Sequence, residues 1–401
     1  MKITTLSLSP GVPFNDIFDW FSKKFTLTED VECYQLWYCP PRYDTDENQN
    51  LLDPKVYDYG TSFEDLDRIE FKSRVVILNI IDSVIDEHDN IDVDRLQNFS
   101  AKHSDINFIV LCPHLGLGRT VQAPNLYIDE IIPTTFTEPF KPCTKGEISN
   151  KFLCLNADTK IHRVMTVSYL LSKDYANNGD FTYDFDREVY KRPHQYKNWK
   201  PIPTHLEHLK ENLAIGLKKL KDKELNLIDM TPFNWDAIEP SRNHNEILVN
   251  AYSNYGVEII TGSMFFEESG LLSEKEFQNI YAKNFPIYIT GVGMVKELKN
   301  LFGLDLFDDI IDHSYDDIED HFERMVAAID RNEHLLNGST NIQELWLENQ
   351  DRFESNIEIM NRMLFDVRYQ RTFAFKIIKK SLAHFNVQVD VSDNTLKLLG
   401  D

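Results

Sequence analysis

The chain has 401 residues and a mass of 46.9 kDa, with 65 acidic against 42 basic side chains and a formal net charge of −23. That length predicts two or three domains, each able to bury a full core. Hydrophobic residues at 42% and charged ones at 27% exclude a disordered or fibrous chain. A mean hydropathy of −0.39, with no apolar run approaching ~18 residues, excludes a transmembrane helix. The first fourteen residues hold one Lys and an apolar stretch broken by Thr, Ser and Pro, which is not a signal-peptide pattern. Five cysteines, an odd number, suit reduced thiols and a cytoplasmic location, the host's cytoplasm for a viral protein. The charge argues against broad wrapping of DNA or anionic lipid, while leaving room for a local basic groove.

In chain order, residues 3–8 read as a strand, 14–25 as an amphipathic helix and 34–38 as a strand closed by Pro40-Pro41. Residues 44–60 are polar, with Pro and Gly, and read as an exposed loop. The runs at 75–80 (VVILNI) and 108–111 (FIVL) are continuously apolar, as in parallel sheets buried on both faces, and 94–103 fits a helix between them. After a connector at 142–146 the alternation restarts. It gives a strand at 152–155, a helix at 164–174, an irregular stretch at 176–204, a helix at 205–223 and a strand at 225–228. A strand at 258–260, a helix at 274–283, a strand at 287–290 and a helix at 295–302 continue it. From 317 to 385 the chain reads as helix with one break at 337–340. The expected fold class is α/β, with two Rossmann-like domains at 1–145 and 146–335 and a helical segment at 336–401. Ligands of such sheets bind outside the carboxyl ends of the strands, so two domains facing a cleft suit an enzyme with two substrates.

The most informative segment is 265–291, FFEESGLLSEKEFQNIYAKNFPIYITG. Ser273 and Glu276 form a capping-box pattern at a helix start. Lys275 in the first turn opposes the helix dipole, yet a helix N-terminus with an added cation is a good diphosphate site. Glu274 beside it can accept hydrogen bonds from both ribose hydroxyls of a nucleotide. This segment resembles the donor-binding signature of the α-1,3-fucosyltransferase family and related viral and bacterial glycosyltransferases, with matching positions at Ser273, Glu274, Lys275, Pro286 and Gly291. The nearest match to the aromatic-Glu-Asn-Ser that precedes it in that family is Tyr252-Ser253-Asn254. Phe152-Leu-Cys-Leu-Asn156 with His162-Arg163 at a helix start resembles a second element of uncharacterised phage and bacterial members. The stretch from Leu301 to Asp320 resembles a third, with His313 in a Glu position; from its residues it reads as a loop before a helix capped by Asp316 and Glu319.

The resemblance implies a GT-B arrangement: an acceptor domain at 1–145 and a nucleotide-sugar domain at 146–335. In it Glu274 holds the ribose, and Ser273, Lys275, Arg163, Asn156 and His162 complete the donor site. No tightly bound cofactor is implied, only a UDP- or GDP-linked sugar as co-substrate, and Lys275 and Arg163 stand in for a divalent metal. Asp82, just past VVILNI, is the candidate base. The Asp-x-Asp pairs at 44/46, 65/67, 92/94 and 184/186 occur about as often as chance predicts in so acidic a chain, and His205-x-x-His208 lacks a third ligand. Gly116-Leu-Gly118-Arg119 reads as a loop after the 108–111 strand. Residues 187–200 reverse the local charge: Arg187, Lys191, Arg192 and Lys197 alternate with Tyr196 and Trp199, which suits sugar rings or nucleic acid as acceptor. A glycan acceptor is expected. The other readings are a phage-type enzyme acting on modified pyrimidines in DNA, and a non-catalytic glycosyltransferase-like module.

Overall fold

The computed structural model describes residues 3–7, 16–36, 42–45, 51–55, 61, 63–80, 93–112, 114–115, 123–130, 142–156, 161–173, 175–183, 207–222, 226–227, 252–262, 270–271 and 274–390. The chain forms two compact α/β units. One comprises Met1–Thr137 with Asn361–Asp401, the other Glu138–Met360.

The first unit is a five-stranded parallel sheet of β1 (Ile3–Ser7), β2 (Val31–Leu36), β3 (Val75–Ile80), β4 (Asn107–Cys112) and β5 (Leu126–Glu130), in that spatial order. The apolar runs alternate between two faces, as the pleat requires. Tyr34, Leu36, Val76, Leu78, Phe108 and Val110 pack against α2 (Phe63–Leu66) and α3 (Val93–Lys102). Val31, Cys33, Val75, Ile77, Ile109 and Leu111 pack against α1 (Asp16–Lys24) and against Ala374, Phe375, Ile378 and Leu382 of a C-terminal helix. Strand β5 was not expected, and the segment expected as an exposed loop contains an antiparallel ribbon, Arg42–Thr45 with Leu51–Lys55.

The second unit is a four-stranded parallel sheet built from β6 (Phe152–Asn156), β7 (Gly179–Tyr183), β8 (Val257–Thr261) and β9 (Phe285–Ile289), in the spatial order β7-β6-β8-β9. Between them run α4 (Ile161–Ser172), α5 (Glu207–Lys221) and α6 (Glu274–Ala282), and α7 (Met294–Phe302) follows β9. β7 lies in the stretch expected to be irregular. Its glycine reads as a breaker, but a Cβ on Gly179 would stand 2.3 Å from the Phe152 ring, so the close approach of the two strands demands it. Of the strand expected at 225–228, the described residues keep one bridge, Leu227 to Phe181.

The long C-terminal helix expected from 317 is a chain of helices: α8 (His321–Arg331), α9 (Glu333–Leu336), α10 (Ile342–Glu348), α11 (Gln350–Phe365) and α12 (Val367–His384). Short polar side chains mark the joints. Asp320 caps α8 by accepting from Phe322 N–H and Glu323 N–H, both at 2.9 Å. Asn341 accepts from Glu344 N–H at 3.3 Å, and Asp366 from Arg368 N–H at 2.8 Å. Helices α8 to α10 contribute Phe322, Met325, Ile329, Leu335, Ile342 and Trp346 to the core of the second unit.

Candidate functional site

In the second unit the chain enters at β6, moves outward to β7, then returns past β6 to β8. The connections leaving β6 and β8 therefore diverge, and a crevice opens at the carboxyl ends of these two neighbours. Asn156, the last residue of β6, and Thr261, the last of β8, form its floor. Thr261 Oγ1 donates to Asn156 Oδ1 at 2.7 Å, and Asn156 N–H donates to Thr182 Oγ1 of β7 at 2.7 Å. Asn156 Nδ2 donates to Cys154 Sγ at 3.1 Å. One buried residue, Asn156, thus ties three strands together at the site's base, through its main-chain N–H to β7 and its side-chain oxygen to β8.

Helix α4 begins at Ile161, three residues before the expected start, so His162 and Arg163 sit inside its first turn. His162 is buried, and its Nε2–H donates across the crevice to Gly262 C=O at 2.8 Å. Because a carbonyl only accepts, this contact requires a proton on Nε2. Arg163 is 4% exposed, at the positive end of a helix whose first turn holds no acidic residue. A buried guanidinium there works against the helix dipole and suits an incoming anion.

Helix α6 follows β8, and its N-terminus faces the same edge by the strand–helix alternation. Lys275 is half-buried in its first turn. Glu274 is the first residue of α6, described through its backbone alone; Ser273, and with it the expected capping box, lies outside the described residues. The rest of α6 is anchored from below. Asn279 Nδ2 donates to Glu258 Oε2 at 2.7 Å, and Asn284 Nδ2 to the same oxygen at 3.3 Å. Lys145 Nζ donates to the carbonyls of Tyr252 and Tyr255, at 2.8 and 2.5 Å, and to Asn284 Oδ1 at 2.6 Å. Burial pushes Glu258 up to about 7 and Lys145 down to about 7. Tyr252-Ser253-Asn254 precedes β8 and so stands at the amino end of the sheet, away from the crevice.

The third helix N-terminus on this edge, that of α7, is already filled. Asp316 accepts from Val295 N–H at 3.2 Å and Lys296 N–H at 3.0 Å, while its carbonyl accepts from Gly293 N–H at 2.9 Å. Gly293 has φ +75°, a turn that favours glycine. The expected local capping box of Asp316 and Glu319 is thus corrected: Asp316 caps a helix that lies well upstream in sequence, and Asp320 caps α8. Arg324 closes this corner, donating from Nε to Thr290 C=O at 3.0 Å and from Nη1 to Ile318 C=O at 2.6 Å. His313 is structural as well. Its Nε2–H donates to Leu306 C=O at 2.8 Å and Nδ1 accepts from Tyr315 O–H at 3.2 Å, while Tyr315 Oη accepts from Tyr288 N–H at 3.0 Å.

The fold therefore gathers Asn156, His162 and Arg163 around one crevice and sets Lys275 on a helix that opens to the same edge. Asp82, Arg187, Lys191, Arg192, Tyr196, Lys197 and Trp199 lie outside the described residues, as do Gly116, Gly118 and Arg119. Of the Asp-x-Asp pairs, Asp65 binds Arg68 at 3.2 Å and Asp67 binds Lys102 and His103, so both are engaged in ion pairs. Sequence reasoning missed Thr261, Gly262 and Arg324; a polar residue closing the strand VEIIT was the available signal for the first.

No protein-family model, fucosyltransferase or other, matches the chain, and no curated protein matches it. Among solved structures it is similar to TarM, at 10% identity and a TM-score of 0.37 over 84% of this chain and 55% of that one. It is similar to a mutant S. aureus TarM in complex with fondaparinux, α-GlcNAc-glycerol and UDP, at 8% identity and a TM-score of 0.33 over the same shares, 84% and 55%. It is also similar to the DNA-modifying enzyme β-glucosyltransferase, determined with and without uridine diphosphoglucose, at 11% identity and a TM-score of 0.37 over 96% of this chain and 100% of that one. The chain spans about half the length of the TarM chains, 55% in each case.

Proposed function

We propose that the chain is a metal-independent glycosyltransferase that moves a sugar from a nucleoside-diphosphate donor to a hydroxyl acceptor, with the donor seated in the β6/β8 crevice. One observation carries this reading. The helices that leave the carboxyl edge after β6 and β8, α4 and α6, each carry a cation in the first turn, Arg163 and Lys275. Two cation-bearing helix starts beside a switch-point crevice suit a diphosphate.

In the reaction the acceptor oxygen attacks the anomeric carbon, the bond from that carbon to the phosphate oxygen breaks, and the diphosphate leaves with the electron pair. Negative charge grows on the leaving oxygens, where Arg163 and Lys275 stabilise it more than in the bound donor, which lowers the barrier. Glu274 takes the ribose hydroxyls, and Asn156 with His162 holds the crevice walls in register. The acceptor's proton goes to a base on the acceptor side, for which Asp82 is the candidate. A glycan is the acceptor that fits a chain of −23, and the alternative is DNA carrying hydroxylated pyrimidines, to be held by the 187–200 segment.

Thermal-shift and calorimetric titration with a panel of UDP- and GDP-sugars tests the donor site. Stabilisation of the wild type by one nucleotide sugar, lost in Lys275→Ala and Arg163→Ala while their circular dichroism is kept, is the expected result. No response to any nucleotide sugar refutes the reading.

A further inference from the structure

On the α1/α12 face of the first sheet the cross-strand rows change character at the carboxyl end. The register sets one row as Cys33, Ile77, Ile109 and Tyr127. The next row on that face, two residues nearer the carboxyl end, is Gln35, Asn79, Leu111 and Asp129. Its three polar members are as buried as the core: Gln35 is 1% exposed, Asn79 2% and Asp129 4%. The α2/α3 face shows no such change. Leu36, Ile80 and Cys112 keep it apolar and fully buried through the last residue of β2, β3 and β4. Strand ends meeting water therefore do not explain the polar row.

The fold accounts for Asp129. It accepts from Tyr127 Oη at 3.3 Å and Ser381 Oγ at 3.4 Å and pairs with Lys380 at 3.0 Å, which fastens α12 to β5. Asn79 differs. A carboxamide offers two N–H groups and an oxygen with two lone pairs. Among the described residues its side chain makes one hydrogen bond, from Nδ2–H to Gln35 Oε1 at 3.4 Å, which is long for such a contact. A buried amide so poorly paired costs stability, and a leucine of similar volume would avoid that cost. The chain nevertheless keeps it on the middle strand of the sheet, one residue before the strand ends.

That place is where open α/β sheets take ligands. The helix leaving β1 packs on one face and those leaving β2 and β3 on the other, so the connections part at the carboxyl edge beside Gln35 and Asn79. We propose that Asn79 is an acceptor-binding residue, whose Oδ1 and second Nδ2–H hydrogen-bond a hydroxyl of a neutral carbohydrate. A hydroxyl both donates and accepts, and an uncharged amide answers both roles. A phosphate only accepts and is better met by a cation, so a nucleic-acid backbone is the poorer match. Asp82, the candidate base, follows three residues later in the chain. The inference rests on the reading of the first unit as the acceptor side.

Saturation-transfer NMR on the full chain tests it, with the methyl glycosides of glucose, galactose and N-acetylglucosamine as probes, alone and with UDP. The expected result is binding of at least one glycoside by the wild type, about tenfold weaker in Asn79→Leu for the loss of one or two neutral hydrogen bonds. Because the amide is underused in the fold, the thermal midpoint of Asn79→Leu should equal or exceed that of the wild type. Q35M/N79L, which strands no partner, carries the same comparison should the single variant fold poorly. Midpoints lowered by several degrees in both variants overturn the proposal, since the amide is then structural. Binding of none of the glycosides overturns it too, as does undiminished binding in Asn79→Leu. Binding of a 5-hydroxymethylcytosine oligonucleotide alone, lost in Asn79→Leu, overturns the carbohydrate assignment and gives the residue to DNA. Glycoside binding without nucleotide is independent of the donor crevice, whose failure shows instead as a wild type that no nucleotide sugar stabilises.

Discussion

Gly216→Ala is a single-methyl change for which two effects of opposite sign can be weighed from the structure. Gly216 lies in α5, where alanine is the better helix former by about 1 kcal/mol. Propensity alone therefore predicts stabilisation. A Cβ at this position would stand 1.7 Å from Ser168 O, 2.4 Å from Ser168 C and 2.8 Å from Ser168 Cα, all backbone of α4. Ordinary carbon–oxygen contact begins well beyond about 3 Å, so α4 and α5 must separate by more than an ångström. A backbone cannot rotate away as a side-chain tip can. The seam that would open is lined by Val167, Leu170, Leu171, Leu209, Leu213 and Leu220, all buried. Overpacking a closed core costs about 1–3 kcal/mol, and a clash with backbone belongs at or above the upper end. The net expectation is a loss of about 2 kcal/mol or more, read as a thermal midpoint lower by roughly 4–8 °C for a unit of this size. Urea and thermal unfolding followed by circular dichroism measure it. Ala214→Gly, at an exposed position of the same helix, serves as the propensity control and should lose about 1 kcal/mol. A Gly216→Ala variant as stable as the wild type would refute the close backbone contact of the two helices.

Glu258→Gln should match the wild type at pH 5 and exceed it at pH 8. The folded-state pKa of Glu258 is raised from 4.5 to about 7, so its contribution to stability is complete below about 4.5 and is lost as pH rises to 7. Gln keeps an acceptor for Asn279 and Asn284 and does not ionise; unfolding free energies from urea titration should favour the variant by about 1–3 kcal/mol at pH 8 and not at pH 5, and parallel pH profiles would contradict the assignment. Lys145, lowered from 10.5 to about 7, acts on the other side: its contribution is lost as pH falls from 10.5 to 7, so Lys145→Met should narrow the gap between pH 7 and pH 10. Asp316→Ala uncaps α7 and should cost about 1–2 kcal/mol, with faster amide exchange at Val295 and Lys296; unchanged exchange there would disprove the cap. Thr261→Val strands the buried Asn156 Oδ1 and should cost about 1–3 kcal/mol while weakening any nucleotide-induced thermal shift. An unaltered thermal shift would detach the crevice floor from ligand binding.

Much of the fold is legible in the sequence because it rests on local periodicity. VVILNI and FIVL become β3 and β4, and the helix starts at 16, 93, 274 and 294 fall within two residues of expectation. What is misread rests on contacts far apart in sequence. β7 opens on a glycine and an aspartate, and its place is set by Phe152 and by pairing to β6, neither of which any local window contains. The Leu301–Asp320 stretch likewise offers a capping pattern that the fold uses differently, since Asp316 reaches the N-terminus of α7.

The candidate site divides along the same line. Its chemistry is written in the chain alone: a Lys-headed helix, a His-Arg pair after an apolar strand, an acidic background against which each local cation stands out. Side-chain type and helical spacing are properties of the chain and survive without coordinates. Placement belongs to the folded molecule. Strand order β7-β6-β8-β9 is a choice of non-local pairing, and it alone creates the crevice beside Asn156 and Thr261 and turns Arg163 from a surface residue into a buried one. It is also non-local packing that sends α12 back to cover the first sheet.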